Sequence, residues 1–208
     1  MGVDWSLAHS LNGFLFRHDA VEDPLLVYVQ AAEALFFGML LLVCALARHE
    51  RWRGTRRAAV AAGLSAGLAL LVDKVISSLY YRARPFVTHP HAVHLFAAHV
   101  RDSSFPSDHA AAAIAIGIAI LLRRKLGWGL VTLVFAIVLM FGRVALGFHY
   151  PSDVLAGAGI GLACAFVLWM PPLRRLIDAI SDRVGGLWDR ALDTVIGALA
   201  PRGLARPR

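Results

Sequence analysis

Five apolar runs, at residues 25–47, 58–81, 109–122, 126–146 and 154–170, restrict what this 208-residue chain can fold into. A helix crossing a bilayer core of ~30 Å needs about 20 apolar residues, and the runs meet or approach that length. The run 109–122 is the shortest; tilt and the turn before it can extend its reach. Hydrophobic residues make up 58% of the chain, more than a soluble globular protein usually carries. Segment 5–16 is weaker. Its Trp5, Leu7, Leu11, Phe14 and Leu15 alternate with polar residues, as in a helix lying in the membrane interface. The tail from residue 173 repeats Leu176, Ile180, Val184 and Leu187 at helical spacing, with charged residues on its other face. The expected fold is therefore all-α and integral to the membrane: about five transmembrane helices, an N-terminal interfacial helix and an amphipathic C-terminal tail. It forms a single domain with an interfacial segment 1–24, a core 25–172 and a tail 173–208, frayed over 201–208.

Charge placement orients the bundle. Arg48, Arg51, Arg53, Arg56 and Arg57 lie between the first two spans, Arg123, Arg124 and Lys125 between the third and fourth, and Arg174 and Arg175 after the fifth. The positive-inside rule places all three groups on the cytoplasmic side, with the N-terminus outside and the C-terminus inside. Loops 82–108 and 143–153 then face outward. The net charge of +7 sits in these short loops rather than in a basic stripe, so no nucleic-acid partner is expected. Cys44 and Cys164 both lie within apolar runs, which supports neither a disulfide nor a zinc site. Residues 1–23 lack the basic and apolar regions of a secretory signal, so the first span is expected to do the targeting.

The outward loops hold the chemistry. His149 and Asp153 are four residues apart, on one face of a helical turn that Pro151 suits. A carboxylate bonded to one ring nitrogen fixes the tautomer and leaves the other nitrogen nucleophilic. The same pair also reads as a capping His beside a solvated Asp. Arg143, six residues earlier, can meet phosphate oxygens in bidentate fashion. Pro106-Ser107-Asp108-His109 opens the third span. There Ser107 or Asp108 can cap the helix, and free N–H groups favour an anion. His109 is either an interfacial His or a proton donor to a leaving oxygen.

Arg82 and Arg84 sit just beyond the second span, with Lys74 about two turns inside it as a phosphate-site cation or half of a structural ion pair. The neighbouring Asp73 points about 100° away from Lys74. Glu33, inside the first span, reads either as a headgroup contact or as a buried structural hydrogen bond. His89, His91, His94 and His99 crowd one loop, but their spacing fits no common metal cage; a mobile loop capping the site is the expectation.

Together these segments resemble the type-2 phosphatidic acid phosphatase superfamily, which includes the vanadium haloperoxidases. Its pattern is Lys-x6-Arg-Pro, Pro-Ser-Gly-His and Ser-Arg-x5-His-x3-Asp. The matches are Arg84-Pro85, Pro106-Ser107-x-His109 and Arg143-x5-His149-x3-Asp153. The resemblance implies that His149 is a nucleophile forming a phosphohistidine, that Asp153 orients it and that His109 is the general acid. Phosphate would be held by Arg84, Arg143 and the Ser107–Asp108 region, with no metal and no cofactor. Three departures stand out. Lys74 lies ten residues before Arg84 rather than seven, so Lys74 or Arg82 must complete the site; Asp108 replaces Gly; and Gly142 replaces Ser.

Arg82-x-Arg84-Pro85-Phe86 and Phe105-Pro106-Ser107-Asp108-His109 look like the bacitracin-resistance branch of undecaprenyl diphosphatases. That likeness implies a hydrolase of a polyprenyl diphosphate at the outer face of a bacterial plasma membrane, with Arg82 suiting the extra charge. Two readings remain open beside it: a phosphatase of another lipid, such as phosphatidylglycerophosphate or phosphatidate, and a protein that binds or transports anionic lipid without hydrolysis.

Overall fold

All the regular structure among the described residues is helical, as a chain with so much apolar length requires. Hydrocarbon offers backbone groups no water to bond, and a helix satisfies them within one segment. The computed structural model describes residues 2–48, 50–98 and 100–199. The helices are α1 (Val3–Leu15), α2 (Asp19–Leu46), α3 (Arg53–Leu79), α4 (Pro85–Thr88), α5 (Asp108–Leu122), α6 (Leu126–Ala145), α7 (Pro151–Trp169) and α8 (Pro171–Leu199), with a short 3-10 turn at Glu50–Trp52. By length and apolar composition α2, α3 with its preceding turn, α6 and α7 can cross a membrane, and α5 is a shorter apolar helix of 15 residues. The architecture is an all-helical, multi-pass membrane bundle.

The shortness of α5 follows from its surroundings. At 15 residues it is ~22 Å long, less than a bilayer core. It packs mainly on α3, α6 and α7. Its Ala110, Ala111, Ala115 and Ile116 are fully buried. At its N-terminus the chain stays inside protein, because Ser104 and Ser107 are fully buried as well.

Two glycines set the distance between α5 and α7. A Cβ at Gly157 would overlap the carbonyl oxygen of Ser107, and one at Gly161 would overlap that of Ala111. Small residues four apart let two helix backbones approach in this way. The approach matters for function because Ser107 and Asp153 begin the two helices, and the Ser107 amide donates to the Asp153 carbonyl at 3.1 Å.

At the opposite end, α8 collects the basic loops. Arg56 pairs with Asp189 at 2.7 Å, and Arg57, Arg123 and Arg48 pair with Asp182, Asp178 and Asp193. Leu176, Val184 and Leu187 remain exposed on α8. The expected amphipathic tail is thus a helix docked by charge. Residues 201–208 lie outside the described residues.

The close approach generates a matched test. Gly157→Ala should lower thermal stability by at least the ~1–3 kcal/mol typical of overpacking, because backbone is in the way. Gly159→Ala, on the same helix with nothing within 4 Å of its Cβ position, should leave the melting temperature of the detergent-solubilised protein unchanged.

Candidate active site

The site is assembled around His149, in the loop between α6 and α7. Gly147 has φ +79°, a left-handed conformation that glycine adopts without steric cost. The turn it permits lets the amides of Phe148 and His149 both donate to the Arg143 carbonyl at 3.1 Å, which sets Arg143 and His149 side by side. The His149 ring is fully buried. Its Nδ1 lies 2.8 Å from the Ser104 carbonyl oxygen. A carbonyl only accepts, so Nδ1 carries the hydrogen and Nε2 carries the lone pair. Nε2 accepts from Arg84 Nη1 at 2.9 Å and Arg143 Nη2 at 3.0 Å. Burial, and then the charges of Arg143 and Arg84, hold the imidazole well below its ordinary pKa. The result is a neutral imidazole whose Nε2 lone pair is engaged by two guanidinium groups.

Arg84 is fixed further by Asp102 at 2.8 Å and by the Phe148 carbonyl at 2.9 Å. Two buried arginines sharing one imidazole nitrogen have the chemistry to receive an anion, since guanidinium N–H groups match phosphate oxygens. Ser107 adds a candidate donor: its hydroxyl is buried and has no hydrogen-bond partner.

Asp153 does not hold the ring directly, contrary to the expectation from its spacing. Its Oδ2 is 3.9 Å from His149 Nδ1, too far for a hydrogen bond. As the third residue of α7 it accepts instead from the Tyr150 amide at 2.8 Å and from Ser104 Oγ at 2.5 Å. The carboxylate therefore positions Ser104, and the Ser104 carbonyl positions His149. Ser104 carried no sequence signal, because its contribution to the ring is a backbone oxygen.

Arg82, expected among the phosphate ligands, is also engaged elsewhere. It does not stand free for phosphate: it donates to Asp153, Ser152 and Asp4, each at 2.6 Å, and lies over the Tyr150 ring. Asp4 also accepts from the Ser152 amide at 2.9 Å. Burial alone would raise the Asp4 pKa, but hydrogen bonds from Ser152 and Arg82 outweigh it and bring it below the usual carboxylate value. The first helix thus supplies part of the frame, through a contact 148 residues apart in sequence that no local pattern announces.

Lys74 is exposed, while the adjacent Asp73 is the buried one. The ~100° step per residue in a helix gives α3 one inward choice of the two, and packing selects Asp73. Lys74 is thus turned away from the protein interior. Asp108, expected among the phosphate ligands, is engaged with its neighbour: its Oδ1 accepts from the His109 amide and His109 Nδ1, both at 2.7 Å. With Nδ1 held by Asp108, Nε2 is the ring nitrogen of His109 left to exchange a proton.

Glu33 lines a small cavity together with Asp108, His109, Phe36 and Leu139. Gly142, where the family pattern has Ser, faces α2 so closely that a Cβ would meet Val29 at 2.5 Å. The histidine loop, expected to be mobile, is packed on α1. His89 stacks on Trp5 at 3.7 Å, His94 stacks on Phe16 at 3.6 Å, and the Asn12 amide bonds the His94 backbone. Among the described residues no three His, Cys, Asp or Glu side chains converge as metal ligands, and His99 lies outside those residues.

The chain as a whole is similar to known proteins. The sequence model of the PAP2 superfamily matches residues 58–175. Undecaprenyl-diphosphatase BcrC of Bacillus subtilis is 32% identical over 181 residues, covering 86% of this chain and 90% of that protein. The Bacitracin transport permease protein BcrC of Bacillus licheniformis is 32% identical over 170 residues, covering 78% and 81%. The crystal structure of Aquifex aeolicus LpxE superimposes with a TM-score of 0.67 at 21% identity, over 80% of this chain and 94% of that one, a likeness of fold.

The buried imidazole carries a pH consequence. An unfolded chain protonates His149 near ~6.5, whereas the native ring stays neutral below that value. The unfolded state then binds more protons, so stability present above ~6.5 is lost as pH falls toward 5. Melting temperatures should drop across that window. His149→Gln should flatten the slope, by at most ~1.4 kcal/mol per pH unit.

Proposed function

The chain belongs to the PAP2 superfamily, and from that premise we propose that it is a lipid phosphatase hydrolysing undecaprenyl diphosphate to undecaprenyl phosphate through His149. The observation that carries this reading is the neutral His149 ring with Nε2 held by Arg84 and Arg143. The substrate choice is supported by the Bacillus subtilis relative, named as an undecaprenyl-diphosphatase.

In this mechanism the terminal phosphate takes the place between the two arginines, and Nε2 attacks its phosphorus. The bond to the bridging oxygen breaks, and His109 gives that oxygen its proton. The phosphohistidine ring is cationic, and its Nδ1–H strengthens its bond to the Ser104 carbonyl. Water then attacks the phosphorus and passes a proton to His109; the P–N bond breaks, releasing inorganic phosphate and restoring neutral His149. Arg84 and Arg143 neutralise the charge that builds on the phosphoryl oxygens, a role metals fill in other phosphatases. Asp153, Asp108 and Arg82 act as positioning residues in this scheme.

The basic loops at the α8 end support a cytoplasmic location for that end, since lysine and arginine set topology and aspartates contribute little. The site would then face outward across the bacterial plasma membrane, where undecaprenyl diphosphate released by cell-wall synthesis would be recycled. Removing that lipid would also confer bacitracin resistance, a role that fits the Bacillus licheniformis relative's name. The same name favours one rival, transport without hydrolysis.

Phosphate release from undecaprenyl diphosphate separates the two. His149→Ala should abolish it while the melting profile keeps its cooperative transition, and His109→Gln should reduce kcat by ~10²–10⁴. EDTA should leave the wild-type rate unchanged. Retained activity in His149→Ala would overturn the histidine mechanism, and a wild type that releases no phosphate from any lipid would favour transport.

A further inference from the structure

Helix α8 begins where the apolar length of α7 ends. Trp169 closes α7, Pro171 opens α8, and Arg174 and Arg123 lie over the Trp169 ring at 4.5 and 5.5 Å. A tryptophan with arginines snorkelling past it marks the level between hydrocarbon and headgroups. From that level α8 runs across the ends of α5, α3 and α2. Its aspartates Asp178, Asp182, Asp189 and Asp193 meet Arg123, Arg57, Arg56 and Arg48 in turn. These four are all the acidic residues of the helix. The side of α8 opposite them is apolar, with Ile180, Val184 and Leu187 exposed at 45%, 60% and 61%. Three- and four-residue spacing sets Arg183 beside Ile180 and Leu187, and Arg190 beside Leu187. Both arginines are exposed, and the half-exposed Trp188 borders the other edge.

We propose that this face of α8 is a docking surface for the anionic lipid headgroups of the adjoining leaflet. Ile180, Val184, Leu187 and Trp188 enter the interface, and Arg183 and Arg190 meet lipid phosphates. The position favours a lipid surface, because α8 starts at the membrane level that Trp169 marks. The residue pattern favours it too: an apolar stripe with tryptophan, edged by arginine, is that of a helix lying in an interface. Charge decides between a membrane and a second copy. The same face on another chain would bring more arginine and no carboxylate to match it, whereas an anionic leaflet attracts each arginine near its surface. Docking on the core makes this possible. Unpaired, the four aspartates would cancel the helix's own four arginines and be repelled by anionic lipid. Paired with arginines of the bundle, they leave the outer side of α8 basic and apolar.

The test places the full-length protein in vesicles of phosphatidylcholine, with or without phosphatidylglycerol. In a Cys44→Ala, Cys164→Ala background, Val184→Cys, Leu187→Cys and Ala179→Cys each carry a nitroxide. Labels at positions 184 and 187 should be reached by oxygen and shielded from a water-soluble nickel chelate. The label at position 179, exposed between the aspartates and the arginine edge, should be open to the chelate. Adding phosphatidylglycerol should deepen the shielding at 184 and 187, and salt at ~1 M, where the Debye length is ~3 Å, should reverse that gain. Arg183→Gln combined with Arg190→Gln should remove the phosphatidylglycerol effect and leave the shielding in phosphatidylcholine unchanged. On the unlabelled wild type, hydrogen exchange of the α8 amides should slow with phosphatidylglycerol by about fivefold for each arginine. That readout decides should a cysteine variant fail to fold. Labels at 184 and 187 open to the chelate in both membranes, or shielding and exchange indifferent to phosphatidylglycerol, would overturn the proposal. Spin–spin broadening between labels at 187 would assign the face to a second copy and overturn it as well.

Discussion

The neutral, buried imidazole of His149 is the constraint on which the rest of the site depends. Two guanidinium groups within hydrogen-bond distance of one ring nitrogen are compatible only with an unprotonated lone pair there. That requires the proton on Nδ1, and the Ser104 carbonyl fixes it. Ser104 in turn needs Asp153, and Asp153 is balanced by Arg82. Arg82 needs Asp4 from the first helix. Each link satisfies a polar group that would be costly to leave unpaired away from water. The chain of dependence runs from residue 4 to residue 153 and ends on a single nitrogen.

This arrangement changes how the charges are understood. Three arginines near the site suggest a surplus suited to a doubly phosphorylated headgroup. In the structure, Arg82 is matched by two carboxylates, and Arg84 has Asp102. In the proposed reading, the attraction for phosphate is concentrated where Arg84 and Arg143 meet Nε2. Asp108 does not oppose that attraction as an isolated anion, because its carboxylate is engaged with His109. The two histidines are thus oriented by different acceptors: a backbone carbonyl for one and a side-chain carboxylate for the other.

The departures from the family pattern have physical explanations of unequal depth. Gly142 leaves room for Val29 of α2, so a side chain there would push the first long helix away from the core. Lys74 is displaced from the expected register by three residues, and α3 turns Asp73 inward instead. For Asp73 itself, buried with one oxygen lacking a partner, the structure offers no further explanation.

Much was legible in the sequence because it is local. Apolar length dictates helices in hydrocarbon. Pro151 marks a helix start, and the order of Arg84, His109, Arg143 and His149 signals phosphate chemistry. What the tertiary structure alone decided is which acceptor each polar group finds. The spacing of His149 and Asp153 permits a hydrogen bond, but the backbone path through residues 104–107 brings a carbonyl closer. The position of Arg82 suits phosphate, but packing of α1 brings Asp4 to it. Hydrogen bonds of this kind depend on tenths of an ångström between segments far apart in the chain. Helical periodicity carries no information about such distances; only the packed bundle does.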